Sequence, residues 1–298
     1  MWAALLAIYI IWGSTYLGIE VASRTFPPLL MLSLRFLVAG ALLYAVAGRG
    51  ERPTLAHWRS AAIVGGALLL FGNGGVAIAQ LTVDTGTVAL IVGSVPLWLA
   101  VLDRVFAGQR LSRPAVVGLV VGFLGVGLLV VPSGDHRDEL GGAVVALVGS
   151  LVWAAGSLYA RRAEMPARPL AGAALQMLAG GVLLALAGLV RGEANDVDPA
   201  GVSGETAAAF VYLVLVGSLV GFSAYVWLLR NAPTSLVGTY AYVNPVVAVL
   251  LGTLFLDEPL EARTLVGGGI ILAAVVLIVS ARPVAAEERR AVAPTRAR

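Results

Sequence analysis

The chain contains no cysteine and no lysine, only two histidines, and just 12% charged residues over its 298 positions. Without Cys there is no disulfide, no thiol nucleophile, no iron–sulfur cluster and no Cys-ligated zinc. All 20 basic residues are Arg, which excludes a Walker A phosphate loop and any Schiff-base chemistry. His57 and His136 each fall in a polar connection, so neither a metal centre nor a cofactor is expected. A soluble domain carries about 25% charged residues, twice the share here. The pI near 9.5 is no nucleic-acid signature either, because the Arg residues lie between apolar runs rather than along a stripe.

What the chain does have is apolar surface: 59% of residues are hydrophobic and the mean hydropathy is +0.92. Too little polar side chain remains to cover a water-facing exterior, so the class is an all-α integral membrane protein. A hydrocarbon core about 30 Å thick takes roughly 20 apolar residues per helix. Ten such runs can be read, near 2–22, 29–48, 60–80, 84–104, 114–131, 140–160, 169–190, 207–229, 234–256 and 264–281. Breaks as short as Thr82-Val83 make the flanking helices antiparallel neighbours.

Orientation follows from Arg. With the N-terminus in the cytoplasm, the inner connections and tail hold fifteen Arg, and the outer ones only Arg24, Arg137, Arg191 and Arg263. That excess places both termini on the cytoplasmic side. The first run begins at Trp2 with no basic leader and is too long for a signal peptide, so it is expected to remain as a helix. Residues 282–298 mix Ala, Pro, Glu and Arg and are expected to form a disordered cytoplasmic tail against the anionic leaflet.

The halves match one another. A shift of 141 carries Trp12 onto Trp153, Pro28 onto Pro169, Leu34 onto Leu175 and Gly40 onto Gly181. A shift of 149 carries Gly72 onto Gly221, Pro96 onto Pro245, Phe106 onto Phe255 and Gly118 onto Gly267. The expected domains are therefore a first five-helix repeat, 1–135, and a second, 136–281. An odd number of spans makes the second copy enter the membrane from the opposite side. Two inverted repeats around a central cavity are the architecture of many secondary transporters, since exchanging the conformations of the halves alternates access.

These residues also carry a family resemblance. Ile11-Trp12-Gly13-Ser14-Thr15-Tyr16 resembles the first helix of EamA-type members of the drug/metabolite transporter superfamily. So do the Pro27-Pro28 entry to a helix bearing Leu34-Arg35-Phe36, the Val95-Pro96 and Asn244-Pro245 steps, and the turn Leu256-Asp257-Glu258-Pro259-Leu260. The likeness spans the whole chain, and in character it is nearest to amino-acid and metabolite exporters. It implies export of a small molecule across the inner membrane without naming that molecule. The first-half counterpart of the acidic turn, Gly108-Gln109-Arg110-Leu111, departs from the acidic pattern.

Polar and aromatic residues near span centres are the candidate substrate contacts, because such groups are costly against lipid. They are Trp12 and Trp153, Asn73 and Gln80 two turns apart on the third span, Ser94 and Trp98 around Pro96, and Tyr240, Tyr242 and Asn244 before Pro245. The two Trp offer stacking and cation–π surface; core packing is the plainer reading. Pro96 and Pro245 each remove a backbone hydrogen bond and are candidate hinges, or fixed kinks. Ser223 and Tyr225 are weaker candidates. Arg35 is the charge set clearly inside a span, and Glu20 near the outer end of the first helix is its candidate ion-pair partner; a carboxylate contact or gate is the other role for Arg35. Gly118, Gly122 and Gly125, with Gly267, Gly268 and Gly269, make small-residue faces for close packing of the fifth and tenth helices or for a homodimer.

The expected function is a secondary, ATP-independent exporter of small amphipathic metabolites, with aromatic or neutral amino acids favoured. Aromatic cationic drugs or nucleoside-like metabolites are the alternative cargo. An intramembrane enzyme or receptor is the alternative of another class, disfavoured because the span centres offer no His, Cys, Asp or Glu. The expected partners are the substrate and the bilayer, with no nucleic acid.

Overall fold

The computed structural model describes residues 1–48, 50, 52–106, 108, 111–131, 137–198, 200–232 and 239–280. His136, residues 233–238 and the tail 282–298 fall outside them. Among the described residues there is no strand; the chain is a bundle of helices. They are α1 (Trp2–Ser23), α2 (Pro28–Ala47), α3 (Leu55–Ala79), α4 (Thr85–Phe106), α5 (Arg113–Val130), α6 (Arg137–Ala160) and α7 (Pro169–Arg191). After a short 3₁₀ turn, Glu193–Asp196, come α8 (Gly204–Tyr212, continuing as Leu213–Val220 and Gly221–Asn231), α9 (Tyr240–Phe255) and α10 (Ala262–Ser280). Eight of these are long and apolar enough to cross a membrane, and Tyr240–Phe255 and Ala262–Ile278 are shorter apolar helices.

The exterior is as apolar as the core, unlike that of a soluble bundle. On α5 the outward face carries Val120 (58% exposed) and Leu124 (67% exposed). Its inward face carries Gly118, Gly122 and Gly125, all buried. Large apolar groups outside and glycines inside suit a helix whose solvent is lipid, where close backbone approach supplies the packing energy. Those glycines are used within the chain: Gly118 lies against Ala274, Leu277 and Ile278 of α10, and Gly125 against Gly267 and Ile270. α2 and α7 close in the same reciprocal way, Gly40 on Leu178 and Gly181 on Leu37.

Two helices depart from regular α geometry. Gly66–Gly74 in α3 and Leu213–Val220 in α8 are π-helical. Such wide turns loosen the backbone and recur at functional sites. α4 is interrupted at Gly93-Ser94, between Thr85–Val92 and Val95–Phe106. α9 runs through Pro245 without a break. The start of α3 differs from the apolar run that marks it in the sequence. Thr54 Oγ1 accepts the His57 amide at 3.2 Å and His57 Nδ1 accepts the Thr54 amide at 3.3 Å. This reciprocal cap starts the helix at Leu55, so His57 belongs to its first turn.

Two carboxylates from the second half cap helices of the first. Glu193 Oε2 accepts the Leu29 and Leu30 amides, each at 3.0 Å, at the start of α2. Glu258 accepts the Thr85 amide at 2.8 Å and the Gly86 amide at 3.1 Å at the start of α4. Helix N-termini leave amides without intrahelical partners and carry positive dipole ends, so both carboxylates meet complementary donors. The acidic turn needs Asp257 in a left-handed conformation, φ 56. It also needs Gly252, where any Cβ would run into the Glu258 carboxylate. Gly252→Ala should therefore displace that carboxylate and cost about 1–3 kcal/mol, the penalty for unpartnered buried amides. In a Glu258→Ala background the same substitution should cost much less. Equal losses in both backgrounds, measured by thermal unfolding in detergent, would detach Gly252 from the cap.

Candidate functional site

Trp12 sits halfway along α1, about 16 Å from its C-terminal end at 1.5 Å per residue. Around it stand three rings from two other helices. Phe222 of α8 has its ring centroid 5.7 Å away, Tyr225 of α8 5.0 Å and Tyr240 of α9 5.2 Å. Tyr225 and Tyr240 meet each other edge to face at 6.0 Å. Edge-to-face and tilted rings at these separations attract one another. Gly221 makes the approach feasible: a Cβ there would lie 2.6 Å from Trp12 Nε1. Tyr9 and Thr239 hydrogen-bond beneath the box. In the orientation that satisfies its amide, Asn244 donates to the Tyr9 and Tyr240 carbonyls, each at 3.2 Å.

Trp153 occupies the matching place on α6, against Gly72 of α3, where any Cβ would run into its indole. Trp12 with Gly221 and Trp153 with Gly72 are thus two equivalent arrangements. They are built from residue pairs related by the 141 and 149 shifts. The second lacks the aromatic company, since the residues matching Phe222, Tyr225 and Tyr240 are Asn73, Val76 and Ile91.

The other sequence-derived residues have separate partners. Asn73 Nδ2 donates to the Leu68 carbonyl at 3.2 Å, within the π-helical stretch. Gln80 Nε2 donates to the Tyr16 carbonyl at 3.0 Å and to Thr85 Oγ1 at 3.1 Å, tying α3 to α1 and α4. Trp98 packs edge to face on Phe123 of α5 at 4.6 Å, away from the box. Ser94 is fully buried, and its hydroxyl has no hydrogen-bond partner among the described residues. The Tyr242 hydroxyl lies 3.5 Å from the Val275 carbonyl of α10. Pro96 follows the interruption of α4, and Pro245 lies 3.2 Å from a Cβ built on Gly93 of that same interruption.

The expected Glu20–Arg35 pair does not form. Arg35, 3% exposed, donates from Nε to Ser218 Oγ at 3.0 Å and lies over the Phe36 ring at 4.8 Å. The π-helical stretch of α8 brings Ser218 and Gly217 to the guanidinium, and a periodicity argument on α1 and α2 could not anticipate that. Glu20 instead has Arg24, Glu258 and Asp84 as its charged neighbours, at the end of the bundle where α1 finishes and α4 begins. There Asp84, just ahead of α4, holds its proton to higher pH than an ordinary Asp. Partial burial is the main cause, followed by the negative charges of Glu258, Glu261 and Glu139. At the opposite end Arg161 pairs with Asp103 at 3.7 Å.

Phe222, Tyr212, Ser218 and Glu193 were missed by sequence reasoning. Phe222 follows Gly221, a repeat position, and that adjacency was the available signal. Glu193 lay in a polar connection with nothing to distinguish it.

Eight helices long and apolar enough to cross a membrane, two shorter apolar ones and glycine-mediated packing among the described residues define a polytopic membrane protein. The chain belongs to the EamA-like transporter family, which matches residues 1–131 and 140–280. It is 41% identical, over 93% of its length and 90% of the relative's, to the uncharacterized inner membrane transporter YedA of Escherichia coli K12. It is 28% identical to protein PecM of Dickeya dadantii, over 90% of this chain and 88% of that one. It is 24% identical to a WAT1-related chloroplastic protein of Arabidopsis thaliana, over 93% of this chain and 69% of that one. A solved crystal structure shares the fold, with a TM-score of 0.62 at 20% identity over 98% of each chain.

Proposed function

We propose that the protein is a secondary exporter of small amphipathic metabolites, aromatic or neutral amino acids foremost, in the bacterial inner membrane. The observation that carries this reading is the Trp12–Phe222–Tyr225–Tyr240 box. It is a set of π faces at mid-membrane depth, assembled from three helices that pack on one another. Aromatic surfaces bind ring and alkyl side chains by stacking and attract a ligand ammonium through their quadrupoles.

Alternating access between two inverted five-helix repeats is the mechanism we attach to it. Support comes from the family's match to two stretches of similar length. The reciprocal contacts of Gly40 with Leu178 and Gly181 with Leu37, and of each central Trp with a glycine of the other half, are arranged as a twofold axis in the membrane plane would arrange them. The homodimer through α5 and α10 is left with Gly127 and Gly269, which have open space beside them. The acidic outer end, with Glu20, Asp84 and Glu258, favours cationic aromatic compounds as the second class of cargo.

The test is counterflow of labelled amino acids and aromatic cations in proteoliposomes, with topology fixed independently. Reporters fused after Arg298 and inserted in the 104–113 turn should read cytoplasm, and one after Asp198 should read the outside. Absence of flux for both substrate classes would remove the exporter reading. A reporter on the wrong side would remove the inverted repeat.

A further inference from the structure

Among the described residues Arg35 is a cation without a counter-ion. It is 3% exposed, about 10 Å below the outer end of α2 at 1.5 Å per residue. Among the described residues no carboxylate pairs with it, and its Nη1 has no hydrogen-bond partner. Ser218 satisfies Nε, and the neighbouring groups are neutral: the Phe36 ring, Gly217, and the hydroxyl-bearing Tyr212. A buried guanidinium left like this is expensive, and ionisable groups at this depth normally find a partner.

Its position relative to the aromatic box gives the unpartnered guanidinium a meaning. On α8, Gly217 admits the Arg35 guanidinium and the Thr15 side chain, each 3.2 Å from a Cβ built there. Gly221, one turn on, admits Trp12. On α1, Thr15 and Trp12 are three residues apart and joined by the 2.6 Å bond from Thr15 Oγ1 to the Trp12 carbonyl. The guanidinium and the box therefore lie along one α1–α8 seam, about one helical turn apart. Ser14 hydroxyl and Tyr212 hydroxyl, 2.5 Å apart, sit at the guanidinium end.

We infer that Arg35 is the carboxylate anchor of the transported molecule, holding the acid group by a charge-assisted hydrogen bond from Nη1 while the Trp12 box takes the apolar body. This rests on the exporter reading and narrows its cargo to aromatic or bulky apolar monocarboxylates, amino acids among them. One turn is the reach of an amino acid from carboxylate to side chain. The substrate supplies the missing negative charge, so release to either side returns Arg35 to the neutral enclosure seen here.

The test compares four compounds sharing one ring: phenylalanine, 3-phenylpropionate, phenylalaninamide and phenethylamine, each measured for uptake in proteoliposomes. Wild-type protein should carry the two acids at least tenfold faster than the amide and the amine. Arg35→Gln should lose at least tenfold on the acids with the amide rate unchanged. Gly217→Ala keeps the charge but presses on Nη2, and should lower acid uptake selectively if the Arg35→Gln protein fails to fold. Wild-type protein that carries amide and acid equally well would overturn the anchor and leave the exporter standing. So would an Arg35→Gln protein that keeps the preference for acids. Protein that moves none of the four would overturn both.

Discussion

Trp12→Ala should reduce transport at least tenfold while leaving the protein folded and in the membrane. The indole is the one ring that touches all three others, Phe222, Tyr225 and Tyr240. Removing it both deletes a stacking face and lets the remaining rings collapse into its place. Each aromatic pair is worth about 0.5–1.5 kcal/mol beyond its buried area, so losing the common member weakens the site by far more than one contact. Trp98→Ala is the matched control. Its indole packs on Phe123 of α5, and its loss should lower thermal stability with little change in flux per folded molecule. Trp153→Ala should fall between the two, because Trp153 sits against Gly72 without a ring beside it. Flux in proteoliposomes, normalised to monodisperse protein, decides the matter. Equal losses for Trp12→Ala and Trp98→Ala would make the box ordinary core.

The helices were legible because membrane spans are written in composition: an apolar run of about 20 residues has few other uses. Trp12 was singled out for a related reason, being an amphipathic ring at a depth where lipid gives it nothing to bond. Arg35 was singled out on the same ground, yet its partner was misread. Glu20 is near it along the chain, and proximity through the short α1–α2 connection made the pair attractive. The actual neighbour, Ser218, comes from the other half of the chain, brought in by a π-helical stretch that apolar periodicity does not encode. Asn73 shows the same limit. Read as a polar group facing a cavity, it hydrogen-bonds the Leu68 carbonyl five residues back, a separation that matches π rather than α spacing. Glycine was the most informative residue throughout. Gly72, Gly221, Gly118 and Gly267 matched across the halves in the sequence, and each one lies where a partner side chain crosses closely.

Glu193→Ala should destabilise the protein by about 2–6 kcal/mol, roughly twice the 1–3 kcal/mol penalty of one unpartnered buried group. The carboxylate is 4% exposed and serves two backbone donors with a single oxygen, at the start of a helix whose first residue is Pro28. That Pro has no amide of its own, so the Leu29 and Leu30 amides are the first that need an acceptor, and Glu193 supplies it from beyond the end of α7. Loss of the cap would therefore act on two helices at once, freeing the start of α2 from the end of α7. Arg191 is half exposed and lies 3.7 Å from the other carboxylate oxygen, too far for a hydrogen bond, so Arg191→Ala removes only the counter-charge and should cost clearly less than Glu193→Ala. Glu193→Gln keeps an oxygen to accept the two amides while giving up the charge that complements the helix dipole, and should recover part of the loss. Thermal unfolding in detergent, with the three variants measured side by side, gives the order Glu193→Ala, Glu193→Gln, Arg191→Ala from most to least damaging. If Arg191→Ala were as damaging as Glu193→Ala, the ion pair rather than the amide cap would hold α7 to α2.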